Sequence, residues 1–226
     1  MRLLKLLSPA LLIAGLLALT VACGSSSKTQ ARFVQASPDA GNLDVALNSK
    51  TTFTNVAFGQ TSGYQSVPAG SQKLEVRTAG TTNDLISSTI DPGSGFTTIL
   101  STGYLSSIAA VVLPDTNTAP STGNVSLRVI NASPTAGSID VYIVAPGTSI
   151  TGVTPTVATL AFRSASSYLS MAAGTYELII TPAGNTSTSY IDTTLSPAAL
   201  QIRSLVVLDA VNGGFPITLQ TLADLN

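Results

Sequence analysis

Histidine and tryptophan are absent from this 226-residue chain, cysteine occurs once, and charged residues make up only 9% of it. Each scarcity removes a class of chemistry. Without histidine there is no Ser-His-Asp or Cys-His arrangement, and the commonest general base and the usual zinc or copper ligand are missing. A single cysteine cannot close an internal disulfide, so burial has to hold the fold together. Glycine loops of the Gly-x-Gly-x-x-Gly or Gly-Lys-Ser/Thr kind, which would cradle a phosphate, do not occur. Ten Lys and Arg stand against eleven Asp and Glu, and two of the ten, Arg2 and Lys5, lie at the extreme N-terminus. The remainder has no basic surplus with which to hold nucleic acid.

What is present begins with an export signal. Arg2 and Lys5 form a positive n-region, Leu6 to Val21 carry no charge, and Ala22-Cys23-Gly24 follows. The run Leu19-Thr20-Val21-Ala22-Cys23 resembles a bacterial lipobox, in which the cysteine becomes the first mature residue and carries diacylglycerol through a thioether. Thr20 stands where lipoboxes usually have leucine. Plain secretion after cleavage at Ala22, and an uncleaved membrane helix, are therefore the competing readings; Lys5 and Pro9 shorten the apolar stretch available for the helix. On the lipobox reading residues 1–22 are a signal peptide and residues 23–30 a lipid-bearing tether. Gly24 after the cysteine supplies no acidic inner-membrane retention signal, which favours an outer-membrane or cell-surface location.

A repeat organises the rest. Residues 32–45 read RFVQASPDAGNLDV and residues 128–141 read RVINASPTAGSIDV, 96 positions further on. The correspondence resumes with Ala57-Phe58 and Tyr64 against Ala161-Phe162 and Tyr168, now displaced by 104 positions, so the second copy has gained eight residues within 146–159. One copy runs over 31–113 and the other over 125–226, with the polar segment 114–124 as linker. Both copies read as strands: Lys73-Leu74-Glu75-Val76-Arg77 alternates charged with apolar, and Leu43, Val45 and Leu47 are matched by Ile139, Val141 and Ile143. The continuously apolar runs Ile108–Leu113 and Ser204–Leu208 suit central strands. Turn signals between the runs have the spacing of a sandwich. The fold class is all-β: two tandem immunoglobulin-like antiparallel β-sandwiches behind the signal segment. If 31–36 pairs with 42–47 as a hairpin, Arg32 shares a face with Asp44, and Arg128 with Asp140, giving an ion pair in each copy. An arch joining opposite sheets is the alternative.

The signature Ala-Arg-Phe-Val-Gln-Ala-Ser-Pro-Asp-Ala from Ala31, followed by Leu-Asp-Val, Phe-Gly, Gly-Tyr and Val-Pro-Ala-Gly, resembles the bacterial family known as domain of unknown function 4397. Both copies carry Ala-Ser-Pro, and the second departs at Thr135 for Asp39, Arg163 for Gly59, Ser167 for Gly63 and Ala172 for Pro68. The resemblance implies an exported, often lipid-anchored β-sandwich domain and no established activity.

Few residues remain as candidates for chemistry. Asp39, Asn42 and Asp44 sit together on a turn and could present oxygens to calcium. The second copy has Thr135 and Ser138 in the first two places, so an Asx-type turn is the better reading and no metal site is assigned. Tyr64 with Tyr168 and Phe58 with Phe162 read as sandwich core or tyrosine corners. No catalytic or cofactor-binding residue is assigned; Cys23 is the one residue given a chemical role, lipidation. The expected function is a lipid-anchored cell-envelope protein for non-catalytic binding, adhesion or scaffolding. Its partners would be the membrane, through the lipid, and an envelope protein or glycan, with no nucleic acid. An envelope hydrolase or glycan-processing enzyme, and a passive surface spacer, are the alternatives.

Overall fold

The computed structural model describes residues 28–224. The segment 1–22 expected to be a signal peptide, and Cys23, lie outside the described residues. Among those described, no helix is long and apolar enough to cross a membrane.

Period-two alternation builds seventeen strands. Those of the first copy are β1 (Lys28–Ala36), β2 (Leu43–Leu47), β3 (Lys50–Val56), β4 (Gln65–Pro68), β5 (Gln72–Thr78), β6 (Asp84–Ile90), β7 (Phe96–Thr102) and β8 (Ala109–Asp115). They form two sheets, ordered β4-β1-β7-β8 and β3-β2-β5-β6. The second copy supplies β9 (Asn124–Asn131), β10 (Ile139–Val144), β11 (Val157–Leu160), β12 (Ser164–Ala165), β13 (Leu169–Ala172), β14 (Tyr176–Pro182), β15 (Ile191–Leu195), β16 (Ile202–Leu208) and β17 (Thr218–Ala223). Their sheets are β12-β9-β16-β17, with β13 also on β9, and β11-β10-β14-β15. Pairing is antiparallel except β1 with β7 and β9 with β16, which run parallel.

Each pair of sheets closes on its own core. Phe33, Leu43, Val45, Phe53, Leu74, Val76 and Ile99 fill the first, where the Phe33 and Phe53 rings stack at 6.3 Å. Val129, Ile139, Val141, Leu178, Ile180, Leu205 and Val207 fill the second. Fully burying a side chain of this size contributes about 1.5–3 kcal/mol.

The hairpin expected between 31–36 and 42–47 does not form, and the arch is what the chain adopts. β1 pairs with β4 and β7, whereas β2 pairs with β3 and β5 in the opposite sheet. The Gln35 side chain fastens the crossing: its amide donates to the carbonyls of Ser37 and Gly41 and its oxygen accepts from the Ser37 amide and the Ser101 hydroxyl. Asn131 holds the carbonyls of Gly137 and Leu160 in the second copy. Arg32 consequently sits on the outer face of one sheet and Asp44 on the outer face of the other, so neither expected ion pair exists.

The outer face of β1 is not wet. Val34, Ala36 and Leu100 meet Ile130, Ala132, Val206, Leu208 and Leu222 in a third apolar cluster that joins the two sandwiches. This second burial explains β8, which is an edge strand rather than a central one. Ala110 and Val112 face the first core while Val111 and Leu113 face the other sandwich.

Candidate functional site at the junction of the two sandwiches

Arg32 is 2% exposed and reaches out of its own sandwich. Its Nε donates to Thr98 Oγ1 at 2.8 Å, Nη1 to the Ala223 carbonyl at 2.7 Å, and Nη2 to the carboxylate of Asp224. Arg128 does the converse: Nε donates to Ser204 Oγ at 2.6 Å, Nη1 to the Pro114 carbonyl at 2.9 Å, and Nη2 to the carboxylate of Asp115. The two sandwiches thus exchange arginines about a local two-fold. Each aspartate takes two further donors, Tyr64 Oη and Thr98 Oγ1 on Asp115, and Tyr168 Oη and Ser204 Oγ on Asp224. Each guanidinium nitrogen donates one hydrogen bond and each carboxylate accepts three, so these buried charges are paired and hydrogen-bonded, the condition under which such pairs are tolerated.

The recurring tyrosines therefore belong to this network rather than to a sandwich core. Arg32 lies 4.7 Å from the centre of the Tyr64 ring and Arg128 lies 4.8 Å from that of Tyr168. Burial pushes both phenols well above the usual tyrosine range; the adjacent guanidinium opposes this and the carboxylate adds to it. They stay protonated donors at any physiological pH. Phe58 packs against the apolar cluster between the sandwiches, and Phe162 lies under the Arg163 guanidinium.

The same junction carries a group of loops at the end where β1 and β7 finish. The turns at Ser37-Pro38 and Ser133-Pro134, residues 103–108 (including the 3-10 turn Leu105–Ser107) and residues 209–217 converge there. Asp209, 1% exposed, organises them. Its carboxylate accepts from Ser133 Oγ, from Thr135 Oγ1 at 2.6 Å and N at 3.2 Å, from Gly214 N at 3.2 Å, and from Tyr104 Oη of the other sandwich at 3.1 Å. Asn212 N donates to the Pro38 carbonyl, and Arg163 reaches across to the carbonyls of Thr102 and Ser107. A side chain at Gly213, whose φ is +95°, would run into the Tyr104 ring. On this scaffold Leu105, Val211 and Phe215 are 43%, 69% and 62% exposed, with Phe215 leaning on Tyr190 at 5.5 Å.

Two positions where the copies diverge acquire a role here. Thr135 replaces Asp39 and binds Asp209, while Asp39 accepts the Leu105 amide. Arg163 replaces Gly59, keeping its left-handed backbone (φ +66° against +72°) while making the contact across the junction. A non-glycine residue held there costs roughly 1–3 kcal/mol unless its surroundings compensate.

The acidic turn has a structural occupation. Asp44 accepts the amides of Asn55 and Gly80 at 2.7 and 2.9 Å, Asp140 accepts those of Thr159 and Gly184 at 2.7 and 2.8 Å, and Asn42 donates to Asn55. Among the described residues no group of three or more acidic, His or Cys side chains could hold a metal. The eight extra residues of the second copy fold Ile150 onto Tyr142 and Ile179. Beside them is an open groove of about 420 Å³ containing Glu177 and Asp192, where burial and then the neighbouring Glu177 carboxylate push the Asp192 carboxyl above its usual range.

No curated protein matches the chain. Among solved structures it is similar to CBMbc, a family CBM26 module of Eubacterium rectale Amy13K in complex with maltoheptaose, at 10% identity, TM-score 0.27, and coverage of 88% of this chain and 99% of that one. It is also similar to a family 41 carbohydrate-binding module from streptococcal virulence factors, described for alpha-glucan recognition, at 12% identity, TM-score 0.24, and coverage of 79% and 92%. Likenesses of this degree carry no argument about ligand. A family model matches residues 29–142, which span the first sandwich, the linker and the strands β9 and most of β10. That match takes in half of the chain, and the chain belongs to the family described as Domain of unknown function (DUF4397).

Proposed function

We propose that this is a lipid-anchored envelope protein whose two sandwiches act as one binding head, non-catalytic, with an envelope protein or glycan as ligand. The observation that carries the reading is the placement of Leu105, Val211 and Phe215. They are exposed on loops at one end of the head, opposite the end where β1 begins at Lys28 and the N-terminal segment enters. Exposed apolar side chains on loops held by a rigid scaffold are the usual form of a recognition surface. The buried network beneath them ties the loops of both sandwiches into one unit.

The hydrolase alternative is less well supported. The carboxylates Glu177 and Asp192 share a groove open to solvent rather than an enclosed cleft, and Glu177 is engaged by the Gly147 amide.

The double variant V211S/F215S tests the surface. Wild-type protein and variant, immobilised and exposed to envelope extract and to a glycan array, are expected to differ by loss of the retained ligand, with thermal stability unchanged. Identical retention by the two would defeat the assignment of this surface. The anchor has a separate test. Cys23→Ala is expected to move the protein from the membrane to the soluble fraction, and the wild-type mature N-terminus to carry the mass of a diacylglycerol. Unchanged membrane association of the variant would overturn the lipid anchor.

A further inference from the structure

The exposed positive charge of the described residues is distributed very unevenly. Their arginines are engaged: Arg32, Arg128 and Arg163 in the junction, Arg77 with Asp84 and Glu75, and Arg203 with a backbone carbonyl. The lysines are Lys28, Lys50 and Lys73, all in the first sandwich and all at one end of it. Lys28 opens β1 opposite Pro68. Pro68, Val67, Asn48 and Lys50 line one cleft of about 350 Å³. Asn48 in turn exchanges two 2.8 Å hydrogen bonds with the backbone of Lys73. Lys28 and Lys50 are exposed, and Lys73, ion-paired with Glu75, keeps its side chain 53% exposed. The only exposed carboxylate of the first sandwich at this end is Asp91, which caps its own turn through the Gly93 amide. Asp39, Asp44 and Asp84 all lie toward the other end, so the first sandwich is electrically polar along its strands.

The lysine end is also where the N-terminal segment enters. Four residues, Gly24 to Ser27, separate Cys23 from Lys28 in the sequence, a reach of no more than about 17 Å. A lipid on Cys23 would therefore hold Lys28 within about two Debye lengths of the bilayer at physiological salt, with Lys50 and Lys73 at the same end of the sandwich. We propose that the end of the first sandwich bearing Lys28, Lys50 and Lys73 rests on the membrane and binds anionic phospholipid headgroups through the three ammonium groups. Leu200, 45% exposed and bonded through its amide to Asn124 where β9 begins, lies at the same end of the second sandwich and would meet the headgroup layer. Seated this way, the head stands with its strands toward the bilayer and carries Leu105, Val211 and Phe215 outward.

This orientation rests on the lipid anchor proposed above, and the experiment separates the two. The full-length lipidated protein, its lipid first verified by mass, is placed in vesicles of phosphatidylcholine alone, in vesicles containing about one-third phosphatidylglycerol, and in detergent with and without millimolar inorganic phosphate. Lysine acylation rates are then read by peptide mass spectrometry. Lys28 and Lys50 are expected to react about threefold or more slowly in the anionic vesicles than in detergent, with protection lost at high salt. Protection by phosphate in detergent would assign a free-anion site instead and overturn the membrane reading. Equal reactivity in anionic vesicles and detergent, on protein whose lipid has been verified, overturns the orientation and leaves the anchor intact. Lys50→Gln in the same vesicles is expected to raise the reactivity of Lys28, because the remaining contacts hold the surface less tightly.

Discussion

Arg32→Ala is expected to lower the unfolding free energy by about 3–5 kcal/mol, the range found when one partner of a buried ion pair is removed. The size follows from what is left behind. Asp224 is fully buried and would lose the guanidinium that neutralises it, while Thr98 and the Ala223 carbonyl each lose a charged donor. An exposed pair of the same composition would cost under about 1 kcal/mol. Equilibrium denaturation in urea measures the difference. A loss near the exposed-pair value would show that the junction is wet in solution. Arg128→Ala, which strands Asp115, is expected to match it closely because the contacts are duplicated about the local two-fold. In both variants the two sandwiches are expected to unfold less cooperatively, since the apolar cluster between them has lost its flanking clamp.

Asp209→Ala is expected to cost more than about 3 kcal/mol and to loosen the loops 103–108 and 209–217 selectively. The carboxylate accepts five hydrogen bonds, from Ser133, Thr135 twice, Gly214 and Tyr104. Removing the acceptor leaves buried donors unmet at about 1–3 kcal/mol each, less whatever water regains. Hydrogen exchange should rise in 209–217 and 103–108, which this group joins across the junction, and much less in β2 and β5. A variant with native exchange in both loops would show that Asp209 does not organise them. Because the exposed Val211 and Phe215 stand on the same loop, binding to the ligand retained by the wild-type protein should fall with loop order.

Much of the fold was legible in the chain itself, for a local reason. Strand character is written in near-neighbour alternation, as in Leu43-Asp44-Val45 and Ile139-Asp140-Val141, and it needs no knowledge of what covers either face. The same locality misled the reading of Arg32. A charged residue alternating with apolar ones is read as facing water, and Asp44, twelve positions on, was the nearest opposite charge. Its actual partner is Asp224, 192 positions away, because the outer face of β1 is covered by a second sandwich rather than by solvent.

The candidate surface was harder still to see. Leu105, Val211 and Phe215 carry no pattern in the sequence, and Asp209 is an unremarkable carboxylate there; only the meeting of two loops from different sandwiches makes them one site. One signal could have pointed to it. The copies diverge at Thr135 and Arg163, and both substitutions turn out to face the junction.

By itself, then, the sequence determined the β-character, the repeat of strand-forming segments and the chemistry that cannot occur without histidine, because each depends on residue type and short-range order alone. Tertiary structure decided which charges pair, which turns arch between sheets and which apolar side chains stay in the open. Those depend on what lies across a face or at the end of a strand, and such neighbours are set by packing between segments far apart in the chain.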